Sequence, residues 1–254
     1  MQIIAITNQK GGVAKTTTTL AIGAGLSRKG YKVLFVDMDA QTNLSYVMEA
    51  DASGLTSKST LDVLEGRASA LDAIQHTRHG DIIAASPALA GADAVLVQVG
   101  KEYRLKEALE PLAALYDFIL LDTPPALGIL TVNALTACHG CIIPAQADIY
   151  SLQGISQLHN TLQTVRKYCN PSLKVWGILL TRFNGRAIIS REAAEMIEQA
   201  ADQMGTKLYS SRIRECTALK EAQACRENIF TYAPSSNAAA DYAALIDEIL
   251  TQEV

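Results

Sequence analysis

Lys10-Gly11-Gly12-Val13-Ala14-Lys15-Thr16-Thr17 sets two lysines on either side of a glycine pair and two hydroxyls directly behind the second lysine. The apolar run Ile3-Ile4-Ala5-Ile6 precedes it, and a helix-patterned segment, 17–29, follows. A strand that enters a helix through a glycine-rich, lysine-bearing turn is a cradle for phosphates. The first N–H groups of such a helix lack intrahelical partners and face outward at the positive end of its dipole. Lys15 is then positioned for the β- and γ-phosphates of a nucleoside triphosphate, and the Thr16 hydroxyl for Mg2+.

Two further apolar runs end in carboxylates. Phe35-Val36-Asp37-Met38-Asp39 closes one, and Phe118-Ile119-Leu120-Leu121-Asp122 closes the other. A charge behind four apolar strand residues is costly unless it meets a cation or solvent. Taken singly, a strand-terminal Asp is more often a helix cap or turn residue. Together with the lysine-bearing turn, the three acids point to Mg-ATP. Asp122 is expected to hold Mg2+ directly or through water, Asp39 to orient the attacking water, and Asp37 to support Thr16 and the metal from deeper in the site.

The elements that must position these groups alternate along the chain. Strand-like runs are Ile3–Thr7, Val33–Asp37, Ile82–Ala85, Phe118–Asp122, Cys141–Ala145 and Val175–Thr181, with helix candidates near 17–29, 58–74, 102–116, 130–138, 151–168, 190–204 and 238–251. This order predicts an α/β fold, a doubly wound and mostly parallel sheet flanked by helices. The runs are continuously apolar, as strands covered on both faces are, and ligands of such sheets bind at the carboxyl ends of the strands. With 254 residues and no repeat or linker, a single domain spanning 1–254 is the simplest organisation.

The net charge of −4 does not advertise nucleic-acid binding, so any DNA contact needs a local basic patch or one assembled across a dimer. No apolar run reaches the roughly 20 residues that span a bilayer. Five cysteines, an odd number, argue against a disulfide framework and fit a reducing cytoplasm. Cys138-His139-Gly140-Cys141 has redox or metal-site spacing, but no second such pair completes a tetrahedral site within one subunit. It reads as a helix end capped by Gly140.

The turn departs from G-x-x-x-x-G-K-[ST], because Gln9 and Ala14 stand where that pattern has glycines, and Lys10 adds a second lysine. The K-G-G-x-x-K-T arrangement resembles the deviant Walker A of the ParA/MinD superfamily of P-loop NTPases. The resemblance extends over nearly the whole chain. Val36-Asp37-Met38-Asp39-Ala40-Gln41-Thr42-Asn43, Leu121-Asp122-Thr123-Pro124-Pro125, Asn133–Ala137, Ile143-Pro144-Ala145-Gln146 and Tyr232-Ala233-Pro234-Ser235-Ser236 are similar to ParA/Soj partition ATPases.

That resemblance implies a nucleotide site running from Lys10 through Gly11, Gly12, Val13, Ala14, Lys15, Thr16 and Thr17. Lys10 is its signature lysine, which reaches the nucleotide of the partner subunit. It also implies an ATP-dependent homodimer, non-specific duplex DNA as a ligand, slow hydrolysis stimulated by a ParB-type centromere-binding partner, and a nucleoid-associated location in a bacterial cytoplasm. Asn184 and Pro234 are expected near the adenine, although Asn before Gly185 is also an ordinary turn signal. The longer members' N-terminal helix-turn-helix domain, and with it operator-specific autoregulation, is not expected.

Two departures bear on function. Ala14 replaces the glycine that most members carry before the lysine. A left-handed backbone there would cost about 1 kcal/mol or more, and a helical one nothing. Of the two DNA-binding arginines of the family, Arg186 matches one, whereas Ala218 occupies the other position; Arg212, Arg214, Lys220 and Arg226 lie close by in sequence and are expected to rebuild the DNA-binding patch. Three alternatives share the nucleotide site. A MinD-like membrane cycler needs a basic amphipathic C-terminal helix, and the tail here is acidic. An iron–sulfur carrier could share Cys138 and Cys141 across a dimer axis. An ATP switch could position an assembly other than DNA.

Overall fold

The computed structural model describes residues 1–252, and the apolar runs become its strands. In chain order the elements are β1 (Gln2–Ile6), α1 (Lys15–Arg28), β2 (Val33–Asp37), α2 (Asn43–Val47), α3 (Thr60–Leu64), β3 (Ile74–Thr77), β4 (Gly80–Ile83), α4 (Ala92–Val95) and α5 (Arg104–Leu109). They continue with β5 (Phe118–Asp122), α6 (Ile129–Ala137), β6 (Gly140–Gln146), α7 (Ile149–Tyr168), β7 (Lys174–Thr181), α8 (Ile188–Gln203), α9 (Thr217–Ala224), α10 (Ile229–Tyr232) and α11 (Asn237–Gln252).

One seven-stranded sheet runs in the order β3-β4-β2-β5-β1-β6-β7. Every pair is parallel except β3–β4 at the edge. Residues on β1, β2 and β5 alternate between two cores. Ile3, Ala5, Leu34, Val36, Ile119 and Leu121 enter one, and Ile4, Ile6, Val33, Phe35, Phe118 and Leu120 enter the other. Burial on both faces is why these strands read as unbroken apolar runs.

Strand register levels the site. Ile6 lies opposite Asp122, and Asp122 lies opposite Asp37, so β1, β5 and β2 reach their carboxyl ends together. α1 lies flush on the sheet because Gly23 has no side chain: a Cβ there would come within 2.1 Å of the Phe35 ring.

The structure corrects the helix expected at 58–74. Only α3 forms there, started by a reciprocal Ser59–Asp62 capping box and stopped at Gly66, whose φ is +75°. The remainder becomes a short 3-10 turn and then β3, which pairs antiparallel with β4 through a tight turn. In that turn the Thr77 hydroxyl donates to the Gly80 carbonyl at 2.8 Å and accepts from the His79 N–H at 3.1 Å. The helix expected at 102–116 is likewise reduced to α5 between two 3-10 turns, the second containing Pro111.

Candidate functional site

Thr7 to Ala14 carry the chain from β1 into α1 as a loop over the sheet edge formed by the strand ends. Two left-handed residues shape it: Gly12 at φ +75° and Ala14 at φ +65°. Of the two conditions set by the sequence, Ala14 therefore meets the strained one. No side chain caps α1, so its leading N–H groups remain available to an anion.

Lys15 is buried, and its Nζ donates to the Lys10 carbonyl at 3.3 Å. Burial lowers its pKa, opposed by the charges of Asp122 and Asp39. Asp122 is sealed at 1% exposure; one carboxylate oxygen accepts from the Thr19 hydroxyl at 3.3 Å, and the Thr16 side chain lies nearby and works against the rise of its pKa. Its Oδ2 has no hydrogen-bond partner among the described residues. Burial, then the charge of Asp37, drives the Asp122 pKa upward.

A buried acid with an orphaned oxygen, beside a threonine hydroxyl and a phosphate-type loop, fits Mg2+. This ion takes one or two protein ligands and completes its shell with water and phosphate oxygens. Asp37 has the opposite circumstances. Its Oδ2 accepts from the Ser45 N–H at 2.8 Å and hydroxyl at 2.7 Å, and its Oδ1 from the Asp39 N–H at 3.1 Å. With its oxygens committed, Asp37 positions the Asp39 loop rather than presenting a free ligand. Asp39 is half-buried and holds its own turn by accepting from the Gln41 N–H at 3.0 Å.

These groups line a cavity of ≈390 Å³. Its lining joins the loop and strand-end residues Gly11, Gly12, Ala14 to Thr17, Asp39 and Gln41 to Arg182, Arg214 to Cys216, Lys220 and Gln223. Val13 lies buried beneath the loop and accepts from the Thr181 hydroxyl at 3.1 Å. Lys10 does not line the cavity. Its Nζ points to the N-terminus of α7, 2.6 Å from Asp148 Oδ2 and 5.9 Å from the Tyr150 ring centroid.

Neither Asn184 nor Pro234 lines this cavity. Asn184 accepts from the Arg186 N–H at 3.1 Å. Pro234 lines a separate ≈440 Å³ groove between α1 and α11 with Arg28, Phe230 and Ile246. Sequence reasoning missed Arg182, Cys216, Gln223, Ser45 and Asp148. The only sequence signal among them is Arg182, placed directly after a strand end.

The basic residues divide. Arg186 is exposed in the loop after β7. Arg212 stacks 4.7 Å from the Phe183 ring, and Phe183 N–H donates to Ile213, which ties the two basic loops together. Arg214 is consumed by Asp241, with contacts of 2.5 and 3.0 Å, and so offers DNA little free charge. Lys220 lines the nucleotide-type cavity, and Ala218 packs against the core.

Cys138 and Cys141 are buried, and burial pushes Cys141 up to about 12. Thiols sealed in this way are not presented across a dimer axis. The apolar face of α11, including Tyr242, Leu245 and Ile249, is buried in the core that α1 shares. Among the described residues no helix is long and apolar enough to cross a membrane.

A family model described as an AAA domain matches residues 1–175. The sporulation initiation inhibitor protein Soj of Bacillus subtilis is 39% identical over 251 residues, covering 98% of each chain. The chromosome partitioning protein ParA of Myxococcus xanthus is 36% identical, over 99% of this chain and 89% of that one. This chain belongs to the ParA/Soj family of partition ATPases. Among solved structures, cobyrinic acid a,c-diamide synthase from Mycobacterium smegmatis with bound ADP and magnesium superposes with a TM-score of 0.85. It is 34% identical, over 98% of this chain and 94% of that one. The loop with its two lysines and the strand-end acids thus stand on a fold shared with that solved structure.

Proposed function

We propose that this ParA-family chain is a nucleotide-operated switch that partitions DNA. Mg-ATP is held by the Gly11–Thr17 loop, Lys15, Thr16 and Asp122. When bound, the metal neutralises phosphate charge that the carboxylates would otherwise repel. Lys10 leaves its own chain and contacts the nucleotide of a second copy, so that ATP favours the homodimer. Asp39 orients the attacking water. The dimer aligns Arg186 and Arg212 into a face for non-specific duplex DNA, and a ParB-type partner accelerates hydrolysis, which removes the cross-contact and releases DNA. Such a switch needs ATP and ADP to bind the two assembly states with different affinity. The cellular place that goes with this activity is the nucleoid in the bacterial cytoplasm.

The observation that carries the reading is the division of labour between the two loop lysines. Lys15 lines the cavity of its own chain, whereas Lys10 turns away from it to the rim at α7. A lysine that serves only its own nucleotide has no reason to point outward.

The test is binding to random-sequence duplex DNA at low and moderate salt with ATP, ADP or no nucleotide, alongside sizing of the protein. ATP-dependent, salt-sensitive and sequence-independent binding by a dimer is the expected result. One observation favours a second reading: the charge of Arg214 is neutralised by Asp241, which thins the basic face. An ATP-dependent dimer that ignores DNA would transfer the proposal to a switch that positions a protein assembly.

A further inference from the structure

Arg182 is a strained residue in the wall of the nucleotide-type cavity. The chain is fixed on both sides of it. Thr181 donates through its hydroxyl to the carbonyls of Val13 at 3.1 Å and Ala145 at 3.3 Å, and the Phe183 N–H donates to Ile213 at 2.9 Å. Between these anchors Arg182 is held at φ +50°, in the left-handed region that L-residues other than Asn, Asp and Gly rarely enter. Backbone strain of this kind persists where the surroundings enforce it and gathers at ligand clamps.

The charge of Arg182 has no internal use. It lines the cavity and, among the described residues, has neither an ion pair nor a hydrogen bond from its guanidinium. Lys220 lines the same space and is likewise without a partner among the described residues, but its ammonium is a point charge with no planar face to stack on a base, and the remaining cations are engaged. Arg214 is bound to Asp241, and Lys15 donates to the Lys10 carbonyl.

Sheet order fixes which end of a ligand Arg182 meets. The three acids stand on β2 and β5 or just beyond them, to one side of β1. β7 lies on the other side, two strands along. At about 4.8 Å per strand this is roughly 10 Å from the end of β1. A nucleotide whose phosphates sit over the loop and whose metal faces the acids must extend its nucleoside in the direction of β7.

We propose that Arg182 is a nucleotide-binding residue that grips the nucleoside half, its planar guanidinium stacking on the base beside Cys216 and Leu219. This rests on the Mg-ATP reading of the cavity, and the probes are chosen to separate the two. Binding of ATP, ADP and inorganic tripolyphosphate is compared in the parent chain, Arg182→Gly and Lys15→Ala. Glycine accepts the left-handed backbone, so the first variant keeps the loop and relieves its strain. Arg182→Met provides a second, size-matched variant.

The expected result is a loss of about tenfold in affinity for ATP and ADP alike in both Arg182 variants, the scale of one desolvated stacked cation. Tripolyphosphate binding stays unchanged in both. ATP affinity equal to the parent's would overturn the proposal, as would a parallel loss for tripolyphosphate, which would put Arg182 at the phosphates. Retained ATP binding in Lys15→Ala would instead remove the underlying nucleotide reading.

Discussion

Ala14 carries the most direct cost in the phosphate loop. Its φ of +65° brings Cβ against the backbone, for about 1 kcal/mol or more. Ala14→Gly removes that contact and raises the freedom of the unfolded chain, two effects of opposite sign. The expectation is a net stabilisation of up to about 1 kcal/mol in urea titration of the nucleotide-free protein. A destabilised variant would show that the Ala14 methyl has a packing role. Lys15→Ala should abolish tight ATP binding in a calorimetric titration. Asp39→Ala should instead keep ATP and accumulate a DNA-bound dimer with little turnover, and failure to bind ATP would withdraw its role in water activation.

Asp122 gives a pH signature. Its folded pKa is raised above the ordinary carboxylate value, first by burial and then by the charge of Asp37. A raised acid favours the folded state fully below its unfolded pKa, roughly pH 4, and that contribution is lost as pH rises through the folded value. Asp122→Asn should therefore gain melting temperature over the parent near pH 8, and the gap should close toward pH 4. The same variant should lose the magnesium dependence of ATP binding. A gap that does not vary with pH would mean that Asp122 is not the group being titrated.

At the scale of elements, α7 decides where Lys10 rests. Asp148 caps α7 by accepting from the Ser151 N–H at 2.9 Å while holding Lys10 at 2.6 Å. Burial raises the Asp148 pKa, and Lys10 and Ser151 outweigh it, so the carboxyl lies below its usual value. The pair is a quarter to a third exposed, so its net worth is about 1 kcal/mol at most. Asp148→Asn keeps the cap and drops the ion pair. If Lys10 must leave Asp148 to cross to a partner, this variant should dimerise at severalfold lower ATP in size-exclusion runs. An unchanged ATP midpoint would separate the ion pair from assembly.

Elements also show what the sequence makes legible. The parallel strands were readable because each is apolar on both faces, and Asp37 and Asp122 stood out against that background. β3 was missed because Gln75-His76-Thr77 at the sheet edge is polar and only partly covered. Thr60, Leu61, Val63 and Leu64 begin with the helical spacing that predicts a helix as far as 74, but the left-handed Gly66 ends it. In the site, the lysines and acids announced themselves by type. Ser45, Gln223 and Arg182 did not, because their roles depend on which loops the sheet order brings together.

Over the whole molecule, a net charge of −4 means that the proposed DNA binding has to rest on the basic edge where the loop after β7 meets Arg212. Arg186→Ala should lower affinity for random duplexes uniformly and reduce the salt slope by about one unit, and adding Arg212→Ala should remove about one more. An unchanged slope in the double variant would place the contact on another surface.

The central position of β5 has a consequence for synthesis. β1 and β2 are not neighbours in the sheet; each pairs with β5, which lies between them. The phosphate loop is among the first parts of the chain to leave the ribosome, yet the strand that aligns it with Asp37 arrives about eighty residues after β2. Pairing so distant in sequence forms late. Nascent chains that end before Phe118 should therefore be unable to hold nucleotide, and the newborn protein stays without an aligned phosphate site until nearly half of it has been made.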